Sequence, residues 1–259
     1  MNIDYREYFK FFDIKSSKTT VLASDMTPLA FYYMHQGLDF QVPDFLNTIK
    51  SLISPEQTLI IPMYNWDFCK GKPFDYKKSK SQVGILGDYA LKDSDFKRTK
   101  HALYSCAVYG KDKDKLCALD YKSSFGKDSL FAYMYKTKAL HIGIGVGLNN
   151  SYTVMHYAEE MEYLDKIPYR YMKTFTSKYI DEYGVESIKE YTMLVRDLDK
   201  NVRLESAPLV QKFIENNVMK TYEKNGIYLY SVDVYNSYDI MKNDILYNKS
   251  KLFCIYDGQ

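Results

Sequence analysis

The chain has 259 residues, 46% of them hydrophobic and 26% charged, enough apolar material for a sizeable core in one large α/β domain or two small ones. Its 35 Lys and Arg are dispersed among 33 Asp and Glu, for a net charge of +2, so neither a nucleic-acid footprint nor a basic funnel for acidic substrates stands out. No apolar run approaches the ~20 residues of a membrane span, and the N-terminal MNIDYREYFKFF lacks the apolar stretch of a signal peptide.

Asn2 to Phe12 reads as a short amphipathic helix, and the β-branched run Thr19 to Ser24 as the first core strand. A turn at Met26-Thr27-Pro28 leads into a helical stretch broken near Gly37. Apolar spacing at Val42, Phe45, Leu46 and Ile49 predicts a helix over Val42 to Leu52. Thr58 to Met63 is a strong strand. Tyr64 to Lys80 is a polar, aromatic, lysine-rich loop, of a length that is more often functional than idle. Val83 to Leu91 reads as a helix with Gly84 near its start, His101 to Tyr109 as a strand, and Phe125 to Lys136 as a helix. Ala139 to Val146 has the length and glycine content of a buried strand, and a helix is expected from about Tyr152. Further strands are expected at Lys166 to Thr174, Val185 to Leu194 and Ile227 to Val234, with helices at Ala207 to Asn217 and Ser237 to Leu246. Strands and helices alternate without repeat or linker. The expected architecture is therefore a single α/β domain over residues 1–259, with a central mixed sheet flanked by helices on both faces.

The stretch Lys138 to Glu160 organises the rest. His156 falls in the first turns of a helix that follows a buried strand, with Glu159 and Glu160 at i+3 and i+4 on the same face. A histidine beside a carboxylate suits general-base chemistry. Gly143-x-Gly145-x-Gly147 resembles a dinucleotide loop, but its third glycine is one place early and an Asn-Asn-Ser turn delays the helix. The glycines read better as a strand passing close to a neighbour. His35, His101, His141 and His156 are scattered, with no metal-ligand spacing, so no metal is expected. Cys69, Cys106, Cys117 and Cys254 form no C-x-x-C pair and read as reduced thiols of a cytoplasmic protein. Arg98-Thr99-Lys100-His101 reads as a phosphate-contacting loop or a solvated edge.

Five segments in order resemble one family. Thr58-Leu-Ile-Ile-Pro62-Met-Tyr-Asn-Trp66-Asp67-Phe68 is the first, and Phe74-Asp75 with Ser81-Gln-Val-Gly84 the second. Arg98-Thr-Lys-His101-Ala-Leu-Tyr-Ser105-Cys-Ala-Val-Tyr-Gly110 and Phe125-Gly126 with Ser129-Leu130 follow. Last come Asn150-Ser-Tyr-Thr153-Val-Met-His156-Tyr-Ala158-Glu159 and Pro168-Tyr-Arg170. Together they resemble the aminoglycoside 3-N-acetyltransferases, from about residue 19 to 175. The chain departs from that pattern at Ala23-Ser24-Asp25-Met26, where the family usually has His-Ser-Ser/Ala-Leu. It departs again at Ala102 and Tyr104, where the family has Pro and a second His.

The resemblance implies an acetyl-CoA-dependent N-acetyltransferase, with His156 as general base, Glu159 orienting its imidazole, and Thr153 or Ser105 as oxyanion donors. Coenzyme A would lie along Ser24, Ser81, Gly84, Arg98 and Ser105, and the amine would meet Tyr64, Trp66, Asp67, Asp75 and Glu160. The acceptor is left open between an aminoglycoside and an amino sugar of glycan biosynthesis, and a non-catalytic binding protein on the same fold is the rival from another class. The oligomeric state is open too, a homodimer among the options. No nucleic-acid or membrane partner is expected.

Overall fold

The computed structural model describes residues 3–163 and 166–259. A seven-stranded mixed sheet runs in the order β10-β11-β6-β1-β2-β5-β4. At its centre, β1 (Thr19–Ser24) lies between β2 (Thr58–Pro62) and β6 (Leu140–Ile144), all three parallel. Antiparallel strands extend both sides: β5 (Cys106–Gly110) and β4 (Lys97–Arg98) beyond β2, and β11 (Ile227–Asp233) and β10 (Met219–Lys224) beyond β6.

Alternation along the strands builds a core on each face. Leu22, Leu59, Ile61 and Ile142 point to one side. There they meet α1 (Arg6–Phe9), α2 (Thr27–His35), α3 (Val42–Leu52) and α4 (Leu86–Ala90) through Phe9, Leu29, Phe45 and Leu86. Val21, Ile60, Val108 and Val232 point to the other. There they meet α5 (Lys113–Ala118), α6 (Leu130–Lys136), α7 (Met155–Met161), α8 (Ala207–Glu215) and α9 (Val234–Asn248). The central strand and α3 form over the residues expected of them. The first helix occupies only Arg6–Phe9; Asn2, where it was expected to begin, lies outside the described residues.

Two features depart from the single-sheet expectation. β7 (Arg170–Ile180) and β8 (Glu186–Arg196) pair along their whole lengths as a hairpin outside the main sheet. The loop after β2 contributes β3 (Phe74–Asp75), which adds to the free edge of β7. β12 (Cys254–Ile255) pairs with β9 (Arg203–Leu204) near the C-terminus.

Gly143 sits where β6 passes Tyr230: a Cβ there would lie 1.9 Å from the ring. Close approach, not phosphate binding, accounts for that glycine.

Candidate active site

The chain leaves β1 toward β2 on one side and returns through β6 on the other. The loops that follow β1 and β6 therefore diverge, and a crevice opens at the carboxyl ends of the parallel strands. Ser24, Pro62, Tyr64, Trp66, Gly84, Ser151 and Thr153 line this cleft. Gly84 is held at φ +113, and a Cβ there would come 2.9 Å from the Ser24 carbonyl, so the 81–86 loop closes tightly over the end of β1. Ser81 supports that loop, its Oγ accepting from the Val83 amide at 3.2 Å. Asp25 is turned away from the cleft, its Oδ1 accepting from the Thr27 amide at the start of α2.

A one-turn 3-10 segment at Leu148–Asn150 leads from β6 to α7, where His156 and Glu159 share one helical face. His156 Nδ1 lies 2.6 Å from Glu159 Oε2. The imidazole is 20% exposed and the carboxylate not at all. Glu159 Oε1 accepts from Arg170 Nε at 2.8 Å and from the Tyr169 hydroxyl at 3.1 Å. Burial disfavours the carboxylate, but Arg170 and His156 outweigh it and hold the acid at about 2. Burial and Arg170 lower the His156 imidazole against the opposing pull of Glu159. The dyad is thus an ionised carboxylate facing a neutral imidazole whose Nδ1–H donates to it, which leaves the lone pair on Nε2. Phe125 packs on the imidazole at 5.2 Å between centroids. The His156 amide donates to the Thr153 carbonyl at 3.0 Å, so the base stands one helical turn from a cleft-lining residue.

Not every expected residue reaches this place. Arg98 is 1% exposed. Its Nε donates to Ser105 Oγ at 3.0 Å, its Nη1 to the Ser79 and Tyr76 carbonyls at 2.6 and 3.1 Å, and its guanidinium lies on the Phe74 ring. It fastens the Tyr64–Lys80 loop and does not line the cleft, which corrects the phosphate-contact expectation. Ser105 is corrected in the same way, since it is fully buried and its hydroxyl is given to the Met63 carbonyl. Asp67 pairs with Lys70 and Lys72, and Asp75 accepts from the Lys77 and Lys78 amides to close a turn. Glu160 accepts from Ser123 Oγ, and burial raises its carboxyl. None of these three acids lines the cleft, whereas Tyr64 and Trp66 do. Conversely, Tyr169 and Arg170 complete the dyad without having been singled out, although Pro168-Tyr-Arg170 stood among the matching segments.

A family model described as aminoglycoside 3-N-acetyltransferase matches residues 36–242, most of the chain. The chain belongs to the aminoglycoside 3-N-acetyltransferase family. No curated protein matches the sequence. Among solved structures, the YokD protein from Bacillus subtilis superposes with a TM-score of 0.74 at 18% identity, covering 95% of this chain and 93% of its own. The aminoglycoside acetyltransferase AAC(3)-IIb gives 0.74 at 12%, covering 95% and 96%. AAC-IIIb, solved as a binary complex with CoASH, gives 0.70 at 14%, covering 92% and 93%. The family's shared fold is therefore present over nearly the whole chain, and membership makes it an acetyltransferase. In an aminoglycoside 3-N-acetyltransferase of this build, the His156–Glu159 pair lies beside the crevice where the parallel strands end. Among the described residues no helix is long and apolar enough to cross a membrane, and no cluster of side chains fit for a metal ion occurs.

Proposed function

We propose that the chain transfers the acetyl group of acetyl-CoA to an amine of an aminoglycoside or related amino sugar, with His156 as general base. The observation that carries this is the ionised Glu159 holding a neutral imidazole by Nδ1, one turn from the cleft residue Thr153. The acceptor nitrogen attacks the thioester carbonyl and its proton passes to Nε2. The C–N bond forms as the carbonyl π pair moves onto oxygen, and when that tetrahedral oxyanion collapses the C–S bond breaks and coenzyme A leaves as the thiolate. Glu159 stabilises the imidazolium, as the acid of a hydrolytic triad does. Thr153, which lines the cleft, donates from its hydroxyl to the tetrahedral oxyanion in this scheme. In this reading acetyl-CoA occupies the cleft lined by Ser24 and Gly84, with Ser81 supporting the loop beside it, and the binary complex of AAC-IIIb with CoASH supports that co-substrate.

The test is thiol release from acetyl-CoA with a panel of aminoglycosides and amino sugars. His156→Ala lowers turnover by about 10²-fold or more and leaves the fold intact. Turnover near the wild-type level removes His156 from the mechanism, and no thiol release with any amine overturns the enzyme reading.

A further inference from the structure

Ser250 lies beyond the last residue of the family match, in the turn that follows α9, yet it ends a hydrogen-bond chain that begins at the dyad. Tyr169 Oη is 3.1 Å from Glu159 Oε1 and 2.9 Å from Ser250 Oγ. A phenol carries one proton, and Glu159 is an ionised acid with none to give. Tyr169 is the donor in both contacts, so its one proton is shared between Glu159 Oε1 and Ser250 Oγ. Burial keeps the phenol protonated, so it serves as a donor across the working pH range. Ser250 Oγ and Glu159 Oε1 thus compete for the Tyr169 proton, and all three groups are excluded from solvent.

The turn that holds Ser250 is built at a cost. Lys249 and Ser250 both adopt left-handed conformations, φ 56 and φ 61, which non-glycine residues avoid. Buried Asp244 compensates: its Oδ2 accepts from the Leu252 amide at 2.9 Å, its Oδ1 from Asn248 Nδ2 at 2.6 Å, and its carbonyl from the Ser250 amide at 3.0 Å. Glycine would suit position 250 better on backbone grounds alone. A hydroxyl stands there instead, aimed at Tyr169.

We propose that Tyr169 and Ser250 are positioning residues for acetyl transfer, fixing the orientation and basicity of Glu159 and, through it, of His156. The proposal rests on His156 and Glu159 being base and orienter. The sign of the effect follows from charge. Without the Tyr169 donor the Glu159 carboxylate is more electron-rich, holds an imidazolium more tightly, and raises the pH at which His156 becomes a free base.

The experiment compares Tyr169→Phe, Ser250→Gly and His156→Gln with the wild type in steady-state acetyl transfer, with thermal melting of each. Tyr169→Phe lowers kcat by about tenfold, the size of one lost hydrogen bond to a charged group. It leaves KM for acetyl-CoA unchanged and moves the acid limb of kcat/KM to higher pH. Ser250→Gly melts no lower than wild type, because glycine relaxes the left-handed turn. It still changes kcat by about threefold and shifts the acid limb to lower pH, opposite to Tyr169→Phe, because Glu159 then receives the Tyr169 proton undivided. Wild-type kcat and pH profile in both variants, with His156→Gln inactive, overturns the positioning roles alone. An active His156→Gln overturns the base assignment beneath them. Should Tyr169→Phe fail to fold, Ser250→Gly decides, since its backbone is favoured by the change.

Discussion

Glu159 accepts from three side chains while wholly buried, so any change to one donor is felt by the others. Arg170→Met leaves a buried carboxylate without its cation. The expected loss is about 3–5 kcal/mol of folding stability, measured by urea unfolding, because breaking one side of a buried pair strands the other. A loss below 1 kcal/mol would show that water reaches Glu159. Glu159→Gln offers His156 an amide where a carboxylate stood. It is expected to lower kcat by about 10²-fold or more while retaining acetyl-CoA binding, read by a ligand-induced rise in melting temperature. Loss of that rise would make Glu159 a cofactor residue. The His156–Glu159 pair was legible in the sequence because i, i+3 spacing on a helix obliges contact. Arg98 was misleading because Arg-Thr-Lys-His reads as polar. Its burial comes from a loop 20 residues earlier wrapping around it, which local sequence does not encode. Ser250 carried no signal at all.

Among the elements, β1 and α3 were legible because β-branched runs and helical apolar spacing coincide with their full lengths. β10, MKTYEK, was not, since an edge strand with exposed lysines and a glutamate shows no clean alternation. The hairpin β7–β8 was read as two shorter strands, and nothing in them showed that it is largely solvated and lies apart from the main sheet. The 81–86 loop depends on one residue. Gly84→Ala places a Cβ 2.9 Å from the Ser24 carbonyl at a backbone angle that L side chains rarely adopt. The loop must lift, and KM for acetyl-CoA is expected to rise about tenfold while far-UV circular dichroism stays unchanged. An unchanged KM would move coenzyme A away from Gly84.

For the whole molecule, acid should be more damaging than alkali. Burial depresses His101 and His141 to about 3, and His156 is lowered as well. Each folded pKa lies below the unfolded value of about 6.5. The stability that His101 and His141 contribute is thus fully present above that pH and is lost as pH falls toward about 3, with His156 acting in the same direction. Each costs up to about 1.4 kcal/mol per pH unit in that window. Glu159, held at about 2, adds its own loss only below its ordinary range near 4.5. Urea midpoints measured at pH 7.5 and 5.0 should fall markedly toward acid; equal midpoints would show that the folded protein takes up the protons.

The acid at the heart of the site draws its partners from α7 and from Tyr169 and Arg170 at the start of β7, and Tyr169 in turn meets Ser250 in the turn after α9. Ser250 stands 81 residues beyond Tyr169 in the chain. A chain clipped after α9 would keep His156, Glu159, Tyr169 and Arg170 and, of these hydrogen bonds, lose only the Ser250 contact, so nicking there is expected to retune the base without abolishing turnover.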